Sequence, residues 1–193
     1  IDLADLRAPL DDEERSRVDV EDEYTMIIVD IPTVEERGGR DWYETIPLSI
    51  IVTENLIITV CMQDTPVLHP FMEGTIRGFK ILYRNATMYL RYLRIIDRES
   101  DKLELKLRHS MQNREIVMLM ELSKTLVYFT TSLKSNEIVM EKLTTLSRIK
   151  QYPDDEDLLD DVITENKQAI EMANIYSGVL ANMTDAFASI VSN

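Results

Sequence analysis

The apolar positions of this chain follow two different rhythms, and the change falls near residue 80. Before it, apolar residues come in short β-branched runs: "YTMIIVDI" (Tyr24 to Ile31), "TIPLSIIV" (Thr45 to Val52) and "LIITVCM" (Leu56 to Met62). Runs of this length and type predict strands. Only "TEN" separates the second from the third, which predicts a hairpin with Asn55 at positive φ. Pro32, Gly38 and Gly39 mark a polar, exposed connection between the first strand and that hairpin. In "TPVLHPFMEGTIRGF" (Thr65 to Phe79) apolar residues recur every three or four positions behind a proline, the pattern of a short helix.

Beyond Gly78 there is no glycine until Gly178, and no proline between Pro70 and Pro153, so long helices are expected. Met88, Tyr89, Tyr92, Leu93, Ile95, Ile96, Leu103 and Leu107 place one helix from Asn85 to about Ser110. Asn113 then reads as an N-cap. Leu119, Leu122, Leu126, Phe129, Leu133, Ile138 and Leu143 extend a second helix from Arg114 to Ile149, roughly 50 Å long at 1.5 Å per residue. Pro153 breaks the chain, and the acids of "DDED" (Asp154 to Asp157) suit the positive end of a new helix. That third helix carries an apolar stripe from Leu159 through Val162, Ala169, Ala173, Tyr176, Leu180, Met183 and Phe187 to Ile190. At roughly 55 Å it is longer than a globule of this size needs, so it is expected to project and to pack against copies of itself. The expected fold is thus an α/β (α+β) N-terminal domain with a small β-sheet over residues 1–80. Long antiparallel helices over 81–152 and a stalk helix over 153–193 follow, as a coiled-coil-like bundle.

Charge is spread unevenly along the last helix. It is acid-rich up to Glu171, yet from Met172 to Asn193 Asp185 is the only charged residue. Its polar side is reduced to Gly178, Asn182, Asp185, Ser189 and Ser192, spaced by three and four. A helix that loses its charged exterior is expected to be enclosed on both faces, in a bundle or around a narrow wet passage in a symmetric oligomer.

Composition narrows the function. With 35 acidic against 21 basic residues the formal charge is -14, which disfavours nucleic acid as a partner and favours cations. The single cysteine, Cys61, allows no intrachain disulfide and reads as a buried core residue. The charged N-terminus does not resemble a leader, and no window holds the roughly 18 uninterrupted apolar residues of a membrane helix, so the chain by itself is expected to be soluble. His69 and His109 have no Cys or His partner at ligand spacing and read as surface residues. "RGGR" (Arg37 to Arg40) reads as an exposed tight turn rather than a phosphate cradle. Arg91, Arg94, Arg98 and Lys102 alternate with Asp97, Glu99 and Asp101, as in intrahelical ion pairing. With no nucleophile, acid–base pair or cofactor loop, an enzyme is not expected.

Four segments, in order, carry a family resemblance: "RSRVDVEDEYTMIIVDIP", "YETIPLSIIVTENLIITV", "RNATMYLRYLRIIDRESDKLE" and "NKQAIEMANIYSGVLANMTDAFASIVSN". Together they resemble the cytosolic part of CorA-type magnesium transporters, over most of residues 14 to 193. The resemblance implies an α/β domain, long cytosolic helices, and a last helix that continues into the first membrane helix. It also implies a homopentamer carrying hydrated Mg²⁺, with Co²⁺ or Ni²⁺ as lesser substrates, at the cytosolic face of a bacterial membrane. The family's Gly-Met-Asn signature, its membrane helices and its basic tail do not occur in this sequence.

By the same resemblance, Asp161 matches an aspartate that binds a regulatory cation between subunits. Its usual acidic partners fall here on Arg7 and Ala8, leaving Asp5, Asp11 or Asp12 as substitutes. Asp185 matches an aspartate facing the pore axis, with Asn182 and Ser189 lining the same passage. The implied mechanism is closure by Mg²⁺ bound across subunit interfaces, relieved when the ion is depleted. A zinc transporter of the same superfamily and a soluble helical scaffold protein are the alternatives.

Overall fold

The computed structural model describes residues 1–71, 78–110 and 112–193. Four strands, β1 (Arg17–Val20), β2 (Thr25–Arg37), β3 (Arg40–Val52) and β4 (Ile57–Cys61), form one antiparallel sheet in sequence order. β2 and β3 pair without interruption from Thr25↔Val52 to Arg37↔Arg40. Gly38 and Gly39 join them, at φ 61 and 78. A two-residue loop whose twist matches its strands needs positive φ at both positions, which glycine adopts without steric penalty.

The expected polar connection is therefore a hairpin tip, and Pro32 is a buried residue inside β2. A proline is tolerated there because β1 stops pairing at Arg17↔Ile28; likewise Pro47 lies just past β4's last pair, Leu48↔Cys61. The β3–β4 hairpin forms where expected, but Asn55 does not have positive φ; among the described residues only Gly38 and Gly39 do. Thr53 closes this turn instead, its hydroxyl accepting from Leu56 N–H at 2.9 Å. Cys61 is half-buried rather than buried, because β4 is an edge strand; burial still pushes its thiol pKa up.

Two elements precede the first expected strand. β1 is short and half polar, with only Val18 fully buried. Helix α1 (Leu3–Arg7) is capped by Asp2, whose carboxylate accepts from Ala4 N–H at 2.9 Å. Leu6 and Ala8 lie over a small apolar cluster of Tyr24, Met26, Ile28 and Ile51 on the sheet face away from the long helices.

Those helices are α2 (Gly78–His109), α3 (Asn113–Thr144) and α4 (Asp155–Ser192). α2 begins seven residues before Asn85, since Phe79, Ile81 and Leu82 continue its buried face. The N-cap of α3 is Gln112, in extended conformation, and Asn113 is its first residue. α3 ends at Thr144 rather than Ile149; a short 3₁₀ turn, Ser147–Ile149, follows and buries Ile149. No α-helix forms over residues 65–71, where a 3₁₀ turn spans His69–Phe71, and residues 72–77 of the expected short helix lie outside the described ones.

α3 runs antiparallel to α4, fixed by Asn166, which donates from Nδ2 to the Leu133 carbonyl at 3.0 Å. α2 runs parallel to α4: Gly78 and Phe79 share a small cavity with Tyr152 and Asp155, while Tyr176 lies close enough to Asp97, Arg94 and Asp101 to feel their charge. One apolar core continues from Val18 in the sheet to Phe187 near the end of α4. Its centre is aromatic, with Phe129 edge-on to Tyr89 at 5.2 Å and to Tyr43 at 6.4 Å. Among the described helices only α3 is long and apolar enough to cross a membrane, with a window of mean hydropathy 1.2. Its inner residues Leu119, Leu126, Phe129, Leu133 and Met140 are buried in this core, while Val117, Met120, Val127, Tyr128 and Ile138 on its outer face are exposed.

Candidate functional site

The densest polar arrangement lies where the helices meet the sheet. β1 has ended by Asp30, so the edge of β2 that faces away from β3 would be left there without a strand partner. Asn136 of α3 supplies one: its Oδ1 accepts from Asp30 N–H and its Nδ2 donates to the Asp30 carbonyl, both at 2.8 Å. The same carbonyl accepts from Asn85 Nδ2 and from the Tyr89 hydroxyl of α2, each at 3.0 Å. Ser132 donates to Thr45 Oγ1 at 3.1 Å. Burial pushes the Asp30 carboxyl pKa up, and a hydrogen bond with Ser132 opposes the rise. Burial likewise raises Tyr89 well above its ordinary value and Tyr43 to about 12. Apart from Asn85 Oδ1, which is buried without a hydrogen-bond partner, these groups are spent on each other and on the backbone, so the junction is a structural clamp.

Sequence reasoning did not single out Asn85, Asn136 or Asn166, although a signal existed. Each is an amide on the apolar face of a helix, and each is fully buried. Such residues usually answer a specific backbone group elsewhere.

Two open cavities flank the core. One of about 650 Å³ lies among the β1–β2 turn, the β3–β4 turn and the α3–α4 connection, where Arg148 donates to the Glu21 and Asp22 carbonyls. The other, about 300 Å³, lies behind the Gly38–Gly39 hairpin against α2 and α3, beside the Arg40–Glu121 ion pair at 2.5 Å.

The residues that the sequence marked for cations are dispersed. Asp5 on α1 accepts from the Tyr24 hydroxyl at 2.5 Å, Asp11 Oδ1 accepts from Glu13 N–H at 3.0 Å, and Asp12 is exposed. Arg7 ends α1, and Ala8 packs on the small apolar cluster. Asp161 is exposed two turns into α4. Among the described residues no group of three or more His, Cys, Asp or Glu side chains is placed to hold a metal ion. Within one chain, therefore, Asp161, Asp5, Asp11 and Asp12 make up no such group among the described residues.

Asn182, Asp185 and Ser189 do share a surface. All three are exposed along one side of distal α4, together with Gly178 and Ala186. Ile175, Val179 and Ile190 stand in the same stripe, 56, 48 and 59% exposed. The opposite side, with Ala173, Leu180 and Phe187, is buried against the rest of the bundle. No described residue covers the outer stripe of this 38-residue helix. Asp161 and Asp185 lie roughly 36 Å apart along the axis. Lone carboxylates can hold a hydrated divalent cation when several copies converge, because Mg²⁺ keeps most of its waters.

The sequence profile of a family described as CorA-like Mg²⁺ transporter protein matches residues 1–193. The cobalt/magnesium transport protein CorA of Methanocaldococcus jannaschii is 28% identical over 208 residues, an alignment covering 98% of this chain and 63% of that protein. The solved soluble domain of CorA from that organism superposes with a TM-score of 0.85 at 28% identity, over 96% of this chain and 78% of that one. Its complete CorA magnesium transporter superposes with a TM-score of 0.88 at 27% identity, over 100% of this chain and 63% of the transporter. The ZntB cytoplasmic domain from Vibrio parahaemolyticus shares the fold, with a TM-score of 0.77 at 12% identity over 100% of this chain and 80% of that domain. This chain thus spans under two thirds of the length of its curated relative.

Proposed function

Because the chain belongs to the CorA-like Mg²⁺ transporter family, we propose that it is the cytosolic regulatory domain of a divalent-cation transporter whose α4 leads toward the membrane. The family is one of transport proteins rather than of enzymes. The observation that carries the reading is the uncovered stripe of distal α4, where Asp185 is the single charge among small and apolar residues. Copies of the chain, five in the whole transporter, assemble through this stripe, with Asn182, Asp185 and Ser189 toward their common axis. Each copy brings a charge of -14, so assembly is opposed by repulsion and favoured by bound cations. Mg²⁺ at interfacial carboxylates, Asp161 among them, clamps the closed form, and its loss releases the clamp. Asp5, Asp11 and Asp12 are the substitute partners for Asp161 from a neighbouring copy.

Mg²⁺ and Co²⁺ are the proposed cargo, in line with the name of the 28%-identical relative; the likeness to ZntB is one of fold. The test is ion uptake by the whole polypeptide that contains this chain, with Mg²⁺, Co²⁺ and Zn²⁺ compared. The reading predicts Mg²⁺ and Co²⁺ flux, with altered Mg²⁺ dependence in Asp185→Ala. Flux of Zn²⁺ alone would replace it with zinc transport, and absence of divalent flux would remove it.

A further inference from the structure

The cavity behind the β2–β3 hairpin tip joins an apolar floor to a charged rim. Ile95 and Leu103 of α2 with Met118 and Leu122 of α3 form the floor, while Arg40 and Asp41 of β3 and Glu99 of α2 stand around it. Two of the three charges already have partners. Arg40 pairs with Glu121 at 2.5 Å, and Glu99 with Lys102 at 2.8 Å. Asp41 takes part in no ion pair among the described residues, so one carboxylate beside the floor has no counter-charge.

Water solvates an exposed acid, so Asp41 alone marks nothing. Tyr43 is different. It is only 5% exposed, with its ring on Tyr92 at 5.6 Å and Phe129 at 6.4 Å, yet its hydroxyl makes no hydrogen bond among the described residues. A buried phenol usually finds a partner. Burial pushes its pKa up to about 12, and the charges of Asp41 and Glu99 add to the rise. Both acids belong to the cavity wall, so the polar end of Tyr43 lies on the cavity side of the core. The wall therefore holds an unspent hydroxyl and an unspent carboxylate next to apolar side chains. At about 300 Å³ the space is at the lower end of the range of small-molecule sites, which combine an apolar lining with a few placed polar groups.

We propose that this cavity binds a small organic ammonium ion with an aliphatic body. The body lies on Ile95, Leu103, Met118 and Leu122, and the ammonium donates to the Asp41 carboxylate and to the Tyr43 hydroxyl oxygen. One uncompensated carboxylate calls for one positive charge. A hydrated metal ion leaves the apolar floor unused, and an anion is repelled by Asp41. Occupancy bridges β3 to α2 and α3 and so ties the hairpin to the helical pair. The proposal is independent of the transport reading, since none of these residues belongs to the α4 stripe.

Trp42, the single tryptophan, lines a smaller cavity that shares Arg40, Asp41, Tyr43 and Leu122 with this one, so its fluorescence reports occupancy. The chain is titrated with n-hexylammonium chloride, with hexan-1-ol as the neutral counterpart and ammonium chloride as the cation without a body, all at matched ionic strength. A saturable change is expected with hexylammonium, at about tenfold lower concentration than with hexanol, the effect of one hydrogen bond to a charged group. Ammonium chloride should give none. Asp41→Asn, an exposed change, should weaken hexylammonium binding about tenfold. Tyr43→Phe keeps the ring packing, removes only the hydroxyl, and should weaken it roughly fivefold. Hexanol binding as tightly as hexylammonium, an equal response to ammonium chloride, or no saturable change overturns the proposal. Unchanged affinity in Asp41→Asn or in Tyr43→Phe does the same.

Discussion

The sheet–helix junction around Asp30 and the distal half of α4 use polar residues in opposite ways. At the junction, Asn85, Tyr89 and Asn136 all turn inward onto the backbone of one residue. On distal α4, Asn182, Asp185 and Ser189 face outward, amid exposed Ile175, Val179 and Ile190. The junction closes within one chain, save for the buried Asn85 Oδ1; the α4 stripe is left uncovered. Polar groups already satisfied by the fold report on stability, and those left over beside uncovered apolar surface report on association.

If that division is right, changes at the core and junction should unfold the chain, and changes on distal α4 should leave its stability alone. The largest effect is expected for Phe129→Ala, which empties the space between Tyr43 and Tyr89. It should cost about 3–5 kcal/mol and lower Tm by roughly 10 °C, read by circular dichroism. Asn136→Ala comes next. The Asp30 carbonyl keeps its bonds from Asn85 and Tyr89, but the Asp30 N–H loses its acceptor. The loss should be about 2 kcal/mol, or roughly 6 °C. An unchanged Tm would mean that the clamp is incidental.

Asp30→Asn should move Tm the other way. Burial raises the Asp30 carboxyl pKa in the folded chain, so the folded state holds the proton more tightly than the unfolded state. Its contribution to stability therefore falls as pH rises from the unfolded carboxylate value, about 3.9, through the folded one, and remains a cost at pH 7. Asparagine removes that cost: Tm should rise by about 2 °C at pH 7, with the gain shrinking toward pH 4. A gain independent of pH would locate the effect elsewhere. Asp185→Asn should be the smallest, within about 0.5 kcal/mol of the parent in EDTA, because the side chain is exposed.

Periodicity made the long helices legible, because a hundred residues without glycine admit few other structures. Their ends were less so: Gly78 begins α2 because the apolar residues after it are buried by the sheet, which is a tertiary effect. Pro32 misplaced the end of β2, since whether a proline breaks a strand depends on where the neighbouring strand stops. Asn55 was given a left-handed role that the Thr53 hydroxyl makes unnecessary. Of the proposed site, the small polar stripe of α4 was readable from its spacing and lost charge. The Asp30 clamp was not, because its partners lie 55 to 106 residues apart in sequence.

The central claim is that the distal face of α4 assembles copies in response to Mg²⁺. Sedimentation velocity of the chain in EDTA and in roughly 20 mM Mg²⁺, alongside melting curves, tests it most directly. The account predicts a shift to a larger species and a higher Tm with Mg²⁺, both diminished in Asp185→Asn. Identical sedimentation and melting in the two buffers would contradict it.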